Sequence, residues 1–204
     1  MPISGMRYKR IAQKIIALKN SDLEARDKLI QEKQLGEGYN EEMEELHNKN
    51  AQQLNDIIDT IGYPTIDKVG KEASEAAWLV IQHSIGKPDF MKKCKKLLES
   101  SVNENKTDPI YLAYLSDRIA ILEGEPQLYG TQFDWDENNE LNPNPVDDLT
   151  KVNNRRKSIG LNTIEEQTEI MRRQMEKENQ IPPSDFEKRK KQMDEWKRTA
   201  GWIK

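Results

Sequence analysis

The sequence is poor in the residues that usually announce chemistry. It has one cysteine, Cys94, and two histidines, His47 and His83, in 204 residues. A lone cysteine forms no intrachain disulfide, which points to a reducing compartment and a cytoplasmic protein. Cys94 lies among Phe90, Leu97 and Leu98 and reads as a packing residue rather than a nucleophile. No Cys/His cluster, HExxH pattern or phosphate-binding glycine loop is present, so neither a metal nor a cofactor is expected. Long apolar runs are missing too. The longest, Ala76 to Ile81, is six residues, so neither a signal peptide nor a spanning helix is expected, and no membrane partner. Charge of one sign is also lacking. Lys plus Arg number 32 against 36 Asp plus Glu, a formal charge of -4, which removes the global electrostatic case for nucleic acid.

What is present is helix. Hydrophobic residues make up 35% and charged residues 33%, a balance that suits one core and long solvated helical faces. Ile11, Ile15, Ile16 and Leu18 begin an apolar stripe over 7–34, with Leu23, Ile30 and Leu35 continuing it. Ser21 followed by Glu24 resembles a capping box and predicts a break near Asn20 and Ser21. Gly36, Glu37, Gly38 and Tyr39 form a breaker. A second helix is predicted over 41–59, ending before Gly62, Tyr63 and Pro64. A third, over 66–84, is apolar almost all round and reads as buried. Further helices are predicted over 89–101, 110–122 after the start signal Asp108–Pro109, and 147–158. Two more are predicted behind the capping boxes Thr163/Glu166 and Ser184/Glu187. Residues 125–149 are irregular, with a short hairpin expected from Tyr129 to Trp135 and a turn near Asn138 and Asn139.

The fold class is therefore all-α: a compact multi-helix core, a long irregular segment with a short hairpin, and helical extensions at both ends. The expected domains are an N-terminal helical extension over 1–60, a core over 61–161 and a charged C-terminal extension over 162–204.

Several motifs in the middle of the chain recur in one order. The first set is Gly62, Pro64, Thr65, Val69, Gly70, Ala73, Ala76, Ala77, Trp78, Gln82 and His83. Tyr114, Leu115, Asp117, Arg118, Gly124, Gln127, Tyr129, Gly130, Thr131 and Gln132 follow, then Arg155, Arg156, Gly160 and Leu161. On these residues the chain resembles an uncharacterised bacterial family, a domain of unknown function, from about Gly62 to Leu161. Where many relatives have alanine after the Gln-His pair, this chain has Ser84. The resemblance implies no reaction.

The residues themselves suggest one. Imidazole gives and takes protons in the neutral range, and His83 stands at a helix C-terminus, where terminal carbonyls favour its charged form. Asp117 is expected to orient it across the core, and Arg118 to bind a carboxylate or phosphate through its planar donor fork. The alternative for Asp117 and Arg118 is a structural ion pair. Gln82, Gln127, Tyr129 and Gln132 can specify a polar ligand, with Gly130 allowing a turn or close approach. They can equally pin the irregular segment to the core. The expected function is thus binding of a small polar or peptide-like ligand, with His83 and Asp117 as the candidate catalytic pair. The competing expectation is an interaction module that binds a protein partner or a second copy of itself through its terminal helices. The C-terminal cations Lys188, Arg189, Lys190, Lys191, Lys197 and Arg198 share their segment with Glu187, Asp194 and Glu195, and read as a mixed-charge solvated helix rather than a nucleic-acid surface.

Overall fold

The computed structural model describes residues 4–32 and 39–204. The predicted apolar position Leu35 and the breaker residues Gly36, Glu37 and Gly38 lie outside the described residues. Nine helices and one two-stranded hairpin make the described chain all-α in class. It forms two compact units, Met1–Asp108 and Pro109–Lys204. The division falls inside the 61–161 segment.

The first unit holds α1 (Ser4–Gln31), α2 (Glu41–Ile61), α3 (Ile66–Val69), α4 (Lys71–His83) and α5 (Pro88–Asn103). Helix α4 lies against α1, α2, α3 and α5. Its alanines Ala73, Ala76 and Ala77 are fully buried and let neighbouring backbones approach closely. Ile15, Leu18 and Leu29 of α1 and Met43, Leu54 and Ile58 of α2 close the core. Each fully buried aliphatic side chain contributes about 1.5–3 kcal/mol. The part of the N-terminal stripe around Ile15 and Leu18 is therefore used inside the unit, whereas Leu23 and Ile30 are exposed.

Two local expectations change. Helix α1 runs through Asn20 and Ser21 without a break, because the Ser21 hydroxyl donates back to the Leu18 carbonyl at 2.8 Å instead of capping a new helix. The helix expected over 66–84 is two, divided at Gly70, whose φ of 82° is left-handed.

The second unit holds α6 (Pro109–Glu123), β1 (Phe133–Trp135), β2 (Leu141–Pro143), α7 (Leu149–Ser158), α8 (Ile164–Lys177) and α9 (Phe186–Ala200). The strands pair antiparallel with Asp134 opposite Asn142, and Asn139 takes a left-handed φ of 60° in the turn. Helix α8 opens on a complete capping box of Thr163 and Glu166. Helix α9 does not use the Ser184/Glu187 pair: Asp185 caps it by accepting from the Lys188 N–H. The charged α9 is held down rather than projecting. Arg189 grips Asp134 with two bonds of 2.8 and 3.1 Å, Lys197 donates to the Ile121 carbonyl, and Trp202 is buried beyond it.

No helix among the described residues is long and apolar enough to cross a membrane.

Candidate functional site

His83 ends α4, and the carboxylate that reaches it is Asp22 of α1. Its Nδ1 lies 2.6 Å from Asp22 Oδ2. The other oxygen, Oδ1, lies 3.2 Å from His47 Nε2 on α2. His47 Nδ1 in turn lies 2.6 Å from the Tyr39 hydroxyl, just ahead of α2. Tyr39 stacks on His47 with ring centroids 5.7 Å apart, and the two imidazoles sit 5.1 Å apart, tilted by 46°. Four side chains from three helices and a loop thus form one chain: Tyr39, His47, Asp22, His83.

Hydrogen-bond logic assigns the protons when both imidazoles are neutral. A carboxylate only accepts, so His47 Nε2–H and His83 Nδ1–H both donate to Asp22. His47 Nδ1 is then an acceptor, and the Tyr39 hydroxyl donates to it. This leaves the lone pair of His83 on Nε2. Asp22 is 1% exposed and the His83 side chain 27% exposed, so the acid is sealed and the base has an open edge.

Electrostatics keep Asp22 an acceptor and Tyr39 a donor, and the Asp22 shift includes the effect of the rings when they are charged. Burial alone would raise the Asp22 carboxyl, but hydrogen bonds from His47 and His83, with their charges, hold it far below the usual carboxylate range. Burial, with the charges of Glu44 and Asp22, pushes the Tyr39 phenol up and keeps it a donor. Asn50 braces the cluster by donating to the Leu18 carbonyl at 3.1 Å, tying α2 to α1 beside Asp22. Ser84 donates to the Val80 carbonyl at 2.6 Å and closes the last turn of α4.

Gln82 is buried next to His83 in this unit. The other residues named from the sequence, Asp117, Arg118, Gln127, Tyr129 and Gln132, belong to the second unit. The expectation that Asp117 orients His83 gives way to Asp22. Asp117 is 0% exposed and has its own employment. Its Oδ1 accepts from the Leu128 and Tyr129 amides at 2.9 and 3.1 Å, and its Oδ2 from the Thr131 amide and hydroxyl at 2.9 and 3.0 Å. Burial raises this carboxyl and the four donors pull it back. Arg118 is half-buried one position further on, about 100° round the helix, and burial lowers its guanidinium.

Gln127 is 0% exposed and closes the same loop on itself. Its amide donates to the Gln132 and Asn144 carbonyls at 3.0 and 2.9 Å, and its carbonyl accepts from the Gln132 amide at 2.7 Å. Gln132 also donates to the Thr131 hydroxyl at 3.1 Å. Tyr129 is half-buried, and its carbonyl receives Arg156 Nη1 at 2.8 Å. Arg156 is 1% exposed and also bonds the Gly130 carbonyl and Asn162. A carboxylate gathering N–H groups and a guanidinium gathering carbonyls thus fix the loop from two sides.

Asp22, His47 and Tyr39 were not among the residues singled out, yet the sequence carries a signal for them. His47 shares its helix face with Asn50, Ala51, Leu54 and Ile58, at spacings of three, four, seven and eleven. Asp22 stands in register with Ile15, Leu18 and Leu29. An acid and a histidine inside two apolar stripes are the anomaly that marks a buried polar pair.

The described chain is thus all-α in class, with two units and a buried carboxylate between two histidines in the first. It belongs to the family of unknown function DUF6624, whose model matches residues 10–177. That match extends well to either side of the segment 62–161, and it includes Asp22 and His47. No curated protein and no solved structure matches the chain.

Proposed function

We propose that the first unit binds a small polar or peptide-like ligand at the open edge of His83 and that His83 acts on it as acid and base through Nε2. One observation carries this reading: a buried carboxylate holds His83 by Nδ1 at 2.6 Å, while the other nitrogen is left to the partly open side. That arrangement fixes the tautomer and the ring plane, and it stabilises the imidazolium formed when Nε2 takes a proton. Asp22 is the orienting acid. His47 holds its second oxygen and is itself held by the Tyr39 hydroxyl, so that Asp22 does not rotate away.

A cavity of about 340 Å³ in the same unit supports a ligand-binding role. Its wall starts at Ala51, one turn beyond His47, and includes Lys87, four residues beyond His83. Lys87 brings an ammonium group and Asp89 a carboxylate, Gln52 an amide, and Phe90 and Pro88 an apolar floor, while Lys93 is engaged by Asp59 and Asn55. A lining with both signs of charge suits a zwitterionic ligand, as amino acids and short peptides are. The lone buried cysteine is in keeping with a reducing compartment and supports the cytoplasm as the place where the protein works.

The test uses the full chain stripped of metal. A library of amino acids, dipeptides and small carboxylates is screened by ligand-observed NMR against the wild type and His83→Gln. Turnover of each bound compound is followed in the same tubes. The expected result is a binder whose turnover falls about 10²–10⁴-fold in His83→Gln, and falls likewise in Asp22→Asn. Failure of every compound to bind, or turnover indifferent to both substitutions, overturns the reading.

A further inference from the structure

We propose that Asp22, His47 and His83 form a site for one divalent transition-metal ion of the imidazole-preferring class, Zn²⁺ foremost. The ion would occupy the site at the expense of the open lone pair on His83. The binding claim goes beyond acid–base catalysis and does not depend on it. Only the consequence for His83 rests on that reading.

The donor set comes first. Two imidazole nitrogens and one carboxylate oxygen lie within 4.8 Å of one another. They come from α1, α2 and α4, so the packing of the unit holds them. A tetrahedral ion with bonds of about 2.0–2.2 Å needs donors about 3.3 Å apart. His47 Nε2 lies 3.2 Å from Asp22 Oδ1 and His83 Nδ1 lies 2.6 Å from Asp22 Oδ2, so the ion would sit on the carboxylate between the two rings after a turn of Asp22 or of the rings that brings one oxygen to both. Two imidazoles and a carboxylate match the preference of Zn²⁺ and its neighbours, and leave a fourth position for water.

The surroundings come second. Metal-bound histidines are characteristically held at their other nitrogen by an outer partner. His47 has one: the Tyr39 hydroxyl at 2.6 Å from Nδ1, with the phenol ring stacked on the imidazole. Burial of Asp22 and of His47 excludes competing water, and the partly exposed edge of His83 gives the ion a way in.

The protons balance without an outside reagent. In the metal-free state His47 carries its proton on Nε2 and His83 on Nδ1. The ion takes both of those nitrogens. The His47 proton moves to Nδ1, where the Tyr39 oxygen accepts it. The His83 proton moves to Nε2, at the open edge. Two neutral imidazoles thus release no proton, and a protonated one releases one. His83 then presents a donor where it had a lone pair, so a metal-loaded protein has lost its base.

Isothermal titration of Zn²⁺ into chelator-stripped full-length protein tests the site, and ring-¹⁵N NMR of the histidines reads the tautomers. The expected result is uptake of one equivalent that is lost in both His47→Gln and His83→Gln. Tyr39→Phe should weaken it about 10–100-fold. In the wild type both ring systems should change tautomer on titration, a readout that needs no variant to fold. Absence of saturable uptake, uptake undiminished in both histidine variants, or uptake that leaves both rings unchanged overturns the proposal. The two readings fail separately: stripped protein that binds and turns over a ligand but takes no Zn²⁺ keeps the first and sinks the second. Uptake of Zn²⁺ by a protein that binds no compound in the library does the reverse.

Discussion

At the scale of single residues, the tightest constraints sit around Gly130 and Arg156. Gly130 has a φ of 62°, and a Cβ there would lie 2.3 Å from Ile164 Cδ1. Gly130→Ala therefore carries both the left-handed penalty of about 1–2 kcal/mol and a clash. It is expected to lower the thermal midpoint of the second unit by more than the usual glycine-to-alanine change. Circular dichroism melts check this, and a midpoint equal to wild type would contradict it. Arg156 is the largest fully buried side chain, and its bonds all go to oxygen atoms of Tyr129, Gly130 and Asn162. Lysine keeps the charge but has no planar fork, so Arg156→Lys leaves buried carbonyls unpaired at about 1–3 kcal/mol each. Denaturant unfolding should show a loss of that order. Cys94 is the opposite case, a residue with nothing to do but pack. Burial pushes its thiol up to about 12, so iodoacetamide at pH 8 should leave the native protein unlabelled and modify it fully in guanidinium.

At the scale of elements, charge ties α7 to the loops that precede it. Arg155 of α7 holds Asp147 with two bonds of 2.8 Å and also donates to the Leu128 carbonyl. The Arg155 hydrogen bond pulls the Asp147 carboxyl from 3.8 down to about 2. A carboxyl lowered on folding stabilises the native state above its unfolded value and loses that contribution as pH falls through the folded one. Asp147→Asn should thus be less stable than wild type at pH 7. The gap should narrow as pH falls from 4 toward 2, measured by thermal melts across that range. A gap independent of pH would remove the ion pair from the account. The caps make a similar point. Thr163→Ala breaks a complete box and is expected to cost about 1 kcal/mol, and Asp185→Ala should cost a similar amount, because Asp185 caps α9.

At the scale of the molecule, the helices were legible because periodicity and turn residues report on local physics. Pro64, Pro88 and Pro109 mark boundaries in any context, and the positions of α2, α5 and α6 follow from them. The hairpin was readable in Asn138 and Asn139 for the same reason. What could not be read was which polar residues meet. Asp117 is expected from the sequence to orient His83 across the core, but pairing is decided by packing, and α4 packs on α1, where Asp22 waits 61 positions away. The Gln127–Gln132 loop carries amides and hydroxyls suited to a ligand, and in the structure Gln127 and Asp117 turn theirs on the loop itself. Ser21 misled as a cap because its hydroxyl can bond backward along the helix as readily as forward. The two units also divide the polar work differently. In the second, a buried acid and a buried base hold main chain in place. In the first, a buried acid holds side chains, one of which has an open edge.

That sharing of one carboxylate between two rings has a consequence for anyone who would cut the protein down. The two rings reach back 25 and 61 positions to the same anion. A fragment trimmed to the central motifs would keep the Gln-His pair intact by eye and yet hold a histidine without its acid. The integrity of the centre is therefore a property of three helices at once, and its appearance marks the moment in folding when α1, α2 and α4 have found one another.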